Sequence, residues 1–131
     1  MNIIFAAASS FSEQTLITLT TLDHEIVAVL TQPDRQSGRG LKKTKNPIKK
    51  LAQKLDLPVL EYESLTNPEA YKTIKKLAPD LLLTMAYGEH VPNKILKIPH
   101  CETINIHPSL LPQWRGASPI QSAILNGDKK T

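Results

Sequence analysis

The stretch TINIHPSLLPQWRGASPI, residues 103–120, opens as an apolar strand and breaks at Pro108 into a turn rich in proline, with a tryptophan and an arginine in its middle. Alternate side chains of a strand share a face, so Asn105 and His107 project together while Ile104 and Ile106 point the other way. The following Pro108 favours extended backbone at His107 and ends the strand, which sets both polar groups near its carboxyl end. In an open α/β sheet that edge is where ligands bind. The fold therefore turns on whether the rest of the chain builds such a sheet.

It has the rhythm to do so. Apolar runs expected to be strands at residues 3–8, 25–31, 58–61, 81–86 and 103–107 alternate with helix-like segments, the βαβα order of a parallel sheet covered on both faces. Their Ile, Val and Leu content, with little polar alternation, predicts strands buried on both sides. The class is α/β: a three-layer, Rossmann-like, doubly wound and mainly parallel sheet. A first helix is expected from Ser12, with Ser12 as its cap and Leu16, Ile17 and Leu19 as its apolar face. Asn46-Pro47, Asn67-Pro68 and Ser118-Pro119 each pair a capping side chain with a proline suited to the first helical turn. The helix after Asn46 carries Ile48, Leu51, Ala52 and Leu55 on one face. The helix after Ser118 runs through Ile120, Ala123 and Ile124 to Gly127, a C′ glycine.

The 131 residues fit one domain, and a 40% hydrophobic fraction with no long low-complexity tract argues against disorder. No apolar run reaches the roughly 18 residues of a membrane span, and MNIIFAAASS has neither a basic start nor the apolar length of a secretory signal. A single cysteine, Cys101, makes no internal disulfide, which suits a reducing compartment and points to the cytoplasm. The net charge of +4 is unevenly spread. Between Gln32 and Lys50, Arg35, Arg39, Lys42, Lys43, Lys45, Lys49 and Lys50 face Asp34 alone, and the remainder of the chain is slightly acidic. Such a basic loop suits a polyanion such as RNA; a solvated loop without a partner is the other reading.

Nucleotide fingerprints fail. The first strand-to-helix turn, AAASSF, lacks glycine, so a dinucleotide site is not expected, and SGRGLKKTKN lacks the Gly-Lys-Ser/Thr of a phosphate loop. One cysteine and loosely spaced histidines make a poor ligand set, and no metal is expected. An amide N–H beside an imidazole does suit a reaction in which charge develops on a carbonyl oxygen and a proton must move. Alone, the pair reads sooner as two polar groups satisfied by neighbouring loops, because so short a motif is common.

The flanking residues carry a resemblance. Asn105-x-His107 with Ser109-Leu110-Leu111-Pro112, Trp114-Arg115-Gly116 and Pro119-Ile120-Gln121 is similar to the signature of the methionyl-tRNA formyltransferase family. Thr31-Gln32-Pro33-Asp34-Arg35 with Gly38-Arg39-Gly40 resembles that family's basic loop, and Ala86-Tyr87-Gly88 its fourth-strand exit. The resemblance implies the formyltransferase fold and transfer of a formyl group from 10-formyltetrahydrofolate, a co-substrate, to the amino group of methionine on initiator tRNA, without a metal. It implies that Asn105 bonds the formyl oxygen and that His107 stabilises the tetrahedral oxyanion. It further implies substrate contacts at Ser109, Leu110, Leu111, Pro112, Arg115, Tyr87 and Gly88. The tRNA acceptor end would meet Arg35, Arg39, Lys42, Lys43 and Lys45.

The pattern departs from the family at Ala7-Ala8-Ser9, where Gly-Thr-Pro is usual, and at Glu89-His90, where the segment is usually more apolar. The family's catalytic aspartate lies in a glycine-containing motif downstream of the helix that ends near Gly127, and Asp128 does not match it. The chain is therefore expected to be most of a catalytic domain, incomplete at its carboxyl end, lacking a carboxy-terminal tRNA-binding domain and inactive alone, its parent a monomer. Two other functions remain open: folate-dependent formylation of an amino sugar nucleotide or small amine, and a non-catalytic RNA-binding module built on Arg35 to Lys50.

Overall fold

A computed structural model describes residues 1–37, 42–44 and 46–131, with backbone alone for 35–37 and 42–44. Strands β1 (Asn2–Ala6) and β2 (Glu25–Thr31) are joined by helix α1 (Glu13–Thr20), itself preceded by a 3-10 turn at Ser10–Ser12. Next come β3 (Arg35–Ser37), β4 (Lys42–Thr44), α2 (Pro47–Lys54), β5 (Val59–Glu61), α3 (Pro68–Lys76) and β6 (Leu81–Thr84). Helix α4 (Asn93–Leu96), strand β7 (Glu102–Asn105) and helix α5 (Pro119–Leu125) complete the described chain. Among the described residues no helix is long and apolar enough to cross a membrane.

Five strands form one parallel sheet in the order β5-β2-β1-β6-β7. The chain winds outward from β1 through β2 to β5, then returns across to β6 and β7, so the order reverses between β1 and β6. That reversal is the switch point at which the loops of the two halves part and leave a crevice.

The core explains the pattern. Odd residues Ile3, Phe5 and Ala7 pack on one face of the sheet with Leu16, Leu19, Ile48 and Ala52, while Ile4 and Ala6 pack on the other with Ala70, Ile74 and Ile95. A register shift beside Ile3 and Ile4 inserts Val27 into β2 as a bulge, which puts Ile26 and Val29 on one face although they are three apart. Phe5 is fully buried at the centre; its truncation to alanine has a typical cost of about 3–5 kcal/mol.

Asn46 and Asn67 cap α2 and α3 as their side chains predict, and Ile48, Leu51, Ala52 and Leu55 turn to the core. Several expectations need correction. Strands β1, β6 and β7 stop at Ala6, Thr84 and Asn105, short of the apolar runs, because the chain leaves the ladder to form the loops at the carboxyl edge. Ser12 does not cap α1; its hydroxyl donates to the buried Met85 carbonyl at 2.9 Å, and Ser9 caps the preceding 3-10 turn instead. Ile17 lies outside the apolar face and is exposed, leaving Leu16 and Leu19 at helical i, i+3 spacing. Ser118 makes no side-chain cap, its backbone standing at φ −133°, ψ 50°, outside the extended region from which a cap reaches back. Strand β7 is an edge strand and is not buried on both faces: Ile104 and Ile106 are exposed. The basic segment, read as a loop, contains the antiparallel ladder β3–β4, with Gln36 opposite Lys43.

Candidate functional site

A cleft of about 780 Å³ opens at the carboxyl edge of the sheet, over the switch point. Ligand sites typically occupy about 300–1,000 Å³. Ser9 and Phe11 reach it from the turn after β1, Thr84 and residues 86–91 from the end of β6, and Asn105, His107 and Pro108 from the end of β7. The approach to α5 adds Gly116, Pro119 and Gln121.

The loops are fastened to one another. In the glycine-free first turn, Ala7 N–H donates to the Leu30 carbonyl and Ala8 N–H to the Ala86 carbonyl at 3.2 Å. Ala86 holds φ +47° and Gly88 φ +83°, two left-handed residues that reverse the chain after β6. A left-handed alanine costs about 1–2 kcal/mol, one of the strained positions that collect around sites. Tyr87, between them, is buried, and its hydroxyl has no partner among the described residues. Burial first, and the Glu89 charge second, push the phenol up to about 12.

Thr84 and Asn105 face each other in the β6–β7 register. The Thr84 hydroxyl donates to Asn105 Oδ1 at 2.8 Å, so the side-chain oxygen is occupied and the amide hydrogens remain for a ligand. His107 Nδ1 lies 2.9 Å from Ser109 Oγ, which in turn donates to the Gln113 carbonyl at 2.7 Å. Trp114 has φ +55°, and its indole Nε1–H donates to Asp128 Oδ2 at 2.6 Å. A left-handed tryptophan costs about 1–3 kcal/mol, and the indole bond offsets part of that.

Of the residues singled out from the sequence, Asn105, His107, Tyr87 and Gly88 come together as cleft lining. Ser109 touches His107 without lining the cleft, whereas Leu110, Leu111, Pro112 and Arg115 sit on the exposed turn away from it. Arg39 and Lys45 fall outside the described residues, and Arg35, Lys42 and Lys43 are described by backbone alone on β3 and β4. Sequence reasoning missed Thr84 and Phe11, and it set Asp128 aside without seeing its bonds to the Gln113–Trp114 turn. For Thr84 a signal existed, a single polar residue closing the run Leu81-Leu82-Leu83. Among the described residues no group of three or more His, Cys, Asp or Glu side chains is placed to hold a metal ion.

The base of the basic hairpin is tied to the sheet. Asn46 Nδ2 donates to the Gln32 carbonyl at 2.9 Å, and Asn46 N–H to Asp34 Oδ1 at 3.0 Å. Lys49 Nζ bridges Glu61 at 2.9 Å and Asp34 at 3.5 Å, and its pKa is raised, chiefly by the hydrogen bond to Glu61.

A family model described as formyl transferase matches residues 1–131. The methionyl-tRNA formyltransferases of Nitrosomonas eutropha and Hydrogenovibrio crunogenus are 45% and 47% identical over all 131 residues, and that of Pseudomonas fluorescens is 46% identical. The chain spans 42% of the length of the first two and 41% of the third. A solved phosphoribosylglycinamide formyltransferase from Bacillus halodurans superposes with a TM-score of 0.71 at 22% identity, covering 96% of this chain and 66% of that one. A formyltetrahydrofolate deformylase from Pseudomonas syringae gives 0.68 at 18% identity, covering 96% and 41%. At these identities the structural likeness speaks to the fold.

Proposed function

Because the chain belongs to the formyl transferase family, we propose that residues 1–131 are the larger part of a catalytic domain that moves a formyl group from 10-formyltetrahydrofolate to the amino group of methionine on initiator tRNA. The observation that carries this reading is the pairing of Asn105 and His107 in the cleft over the switch point, with Thr84 holding the Asn105 oxygen. The names of relatives 44–47% identical, all methionyl-tRNA formyltransferases, support the acceptor. The names of folate enzymes and glycinamide ribonucleotide transformylases of the same fold support the donor class.

In this reading the methionyl amine attacks the formyl carbon, the carbon's bond to the folate nitrogen breaks, and the proton lost by the amine is balanced by one taken up on the released folate nitrogen. Negative charge gathers on the formyl oxygen. Asn105 Nδ2 donates to that oxygen, and the His107 imidazole, once protonated, stabilises it beside the amide. Loss of one such donor typically costs about 2.7–4 kcal/mol, a rate factor of about 100 to 1,000. Tyr87 and Gly88, on the wall formed after β6, contact the folate substrate, and its volume suits the cleft. Arg35, Arg39, Lys42, Lys43 and Lys45 supply cations for the tRNA acceptor end. Ser109, Leu110, Leu111, Pro112 and Arg115 form the exposed turn against which the acceptor end rests. The resemblance implies a further aspartate in the proton path, so residues 1–131 alone are expected to turn over little. The reaction belongs in the cytoplasm, where tRNA is charged.

The test is formylation of charged initiator tRNA by the complete protein, with 10-formyltetrahydrofolate as donor. His107→Ala should lower kcat at least a hundredfold while tRNA affinity changes less than twofold. An unchanged rate removes His107 from the mechanism. Formylation of small amines or amino sugar nucleotides that tRNA fails to inhibit would overturn the acceptor. RNA binding without folate affinity would make the protein a binding module.

A further inference from the structure

The turn after β7 carries a chain of hydrogen bonds that formyl transfer as described leaves unused. Ser109 Oγ donates to the Gln113 carbonyl oxygen and lies against His107 Nδ1. A serine hydroxyl has one proton, and a carbonyl oxygen has none to give, so that proton is committed to Gln113. Toward His107, Ser109 Oγ can only accept. Nδ1 therefore carries hydrogen, and in the neutral ring Nε2 keeps its lone pair.

The Gln113 carbonyl is in turn held in place. Trp114, the next residue, is left-handed, and its indole donates to Asp128 Oδ2 at 2.6 Å; Gln113 Nε2 reaches the same oxygen at 3.3 Å. Asn126 Nδ2 donates to Asp128 Oδ1 at 2.6 Å, and the Asp128 amide donates to the Ala123 carbonyl at 2.9 Å. One carboxylate at the end of α5 thus grips both residues of the turn whose carbonyl orients the serine.

We propose that Ser109 and Asp128 are positioning residues for His107. Asp128 pins the Gln113–Trp114 turn, the turn's carbonyl fixes the Ser109 hydroxyl, and that hydroxyl holds His107 as its Nδ1–H tautomer. Such a ring offers Nε2 as an acceptor while neutral and as a donor once protonated. The effect on turnover rests on the catalytic reading of His107; the tautomer does not.

The tautomer is read from long-range proton–nitrogen correlation spectra of the 15N-labelled protein at a pH where the ring is neutral, with the His107 signals assigned by their loss in His107→Asn. The native protein should show Nδ1–H. Ser109→Ala and Asp128→Ala should each convert it to a mixture or to Nε2–H, with the sheet amide signals unchanged, and Ser109→Thr should restore it. Both disruptive variants should lower kcat about tenfold at constant KM for the formylfolate donor, the scale of one hydrogen bond. Nε2–H in the native protein, or Nδ1–H persisting in both variants, overturns the proposal even where formyl transfer is established. A tautomer that responds with kcat unmoved overturns the positioning role. A tautomer that responds in a protein without formyl transfer upholds the tautomer control and overturns the proposed function instead.

Discussion

Thr84 and Asn105 occupy partnered positions on β6 and β7, and the Thr84 hydroxyl donates to Asn105 Oδ1 at 2.8 Å across the end of the sheet. An asparagine amide has two faces of opposite hydrogen-bonding character, and this bond decides which one is left over. Thr84→Val keeps the β-branched shape on a buried strand but removes the donor. The amide then rotates freely, and part of the time it turns its oxygen toward the developing oxyanion. In the complete protein the expected outcome is a kcat lower by about tenfold, with the thermal midpoint nearly unchanged. A normal kcat with full stability would mean that the bond does not orient Asn105.

Tyr87 contrasts stability with function. Its hydroxyl is buried without a partner among the described residues, a state costing about 1–3 kcal/mol. Tyr87→Phe should leave stability at neutral pH equal or higher. The pH dependence follows from the phenol standing near 12 when folded and 10.0 when unfolded. Below pH 10 both states keep the proton. As pH rises from 10 to 12 the unfolded chain ionises and the folded one does not, so the tyrosine protein loses stability relative to phenylalanine, by about 2–3 kcal/mol at the top of that window. Denaturant unfolding at pH 7 and across pH 10–12 measures both effects. If the hydroxyl serves the folate substrate, the same variant binds a stable formylfolate analogue about tenfold more weakly by calorimetry. A neutral-pH loss of stability would mean that the hydroxyl is satisfied within the folded chain.

Much of the fold was legible because its signals are local. The β2 run has uniform apolar density and needed no tertiary information, so its bounds at Glu25 and Thr31 are those expected. Asn46 and Asn67 each meet a proline and act on amides two or three residues ahead. Where a side chain had a choice between near and far partners, local reasoning failed: Ser12 bonds Met85, 73 positions away, because packing α1 against the sheet brings that carbonyl within reach. The β3–β4 ladder was not legible, since its lysines and arginine carry no apolar alternation. The same division runs through the site. Asn105 and His107 were visible by their two-residue spacing, while Thr84 and Asp128 act across 21 and 14 positions and become neighbours only through strand pairing and the return of α5.

Asn46 joins two roles in one side chain, and its loss should show both. Its Oδ1 caps α2 by accepting from the amides of Ile48 and Lys49, and its Nδ2 satisfies the buried Gln32 carbonyl just before the basic hairpin. Losing the cap costs about 1 kcal/mol, and losing the bond to the Gln32 carbonyl about 0.5–1.5 kcal/mol more. Asn46→Ala is therefore expected to lower unfolding free energy by about 1.5–2.5 kcal/mol, whereas Asn46→Ser, which caps but cannot reach Gln32, recovers about 1 kcal/mol of it. Equal losses in the two variants would show that the cap contributes nothing.

The cations of the hairpin make a prediction about salt. Arg35 lies on β3 and Lys42 and Lys43 on β4, strands paired so that Gln36 stands opposite Lys43, which gathers three cationic residues on two adjacent short strands. Each phosphate neutralised by such a side chain releases a counterion, so the logarithm of affinity falls with the logarithm of salt concentration by about 0.7–0.9 per contact. In the complete protein, replacing Lys42 or Lys43 with alanine should weaken tRNA binding and flatten that slope by about 0.7–0.9. Replacing both should flatten it about twice as much. Lys76→Ala, at the end of α3, should leave the slope as it was. Binding titrations between about 50 and 200 mM salt are sufficient to see this, because a slope of even two units changes affinity more than tenfold over that range. A loss of affinity with the slope preserved would mean that these lysines meet no phosphate and that the basic strands serve the fold alone.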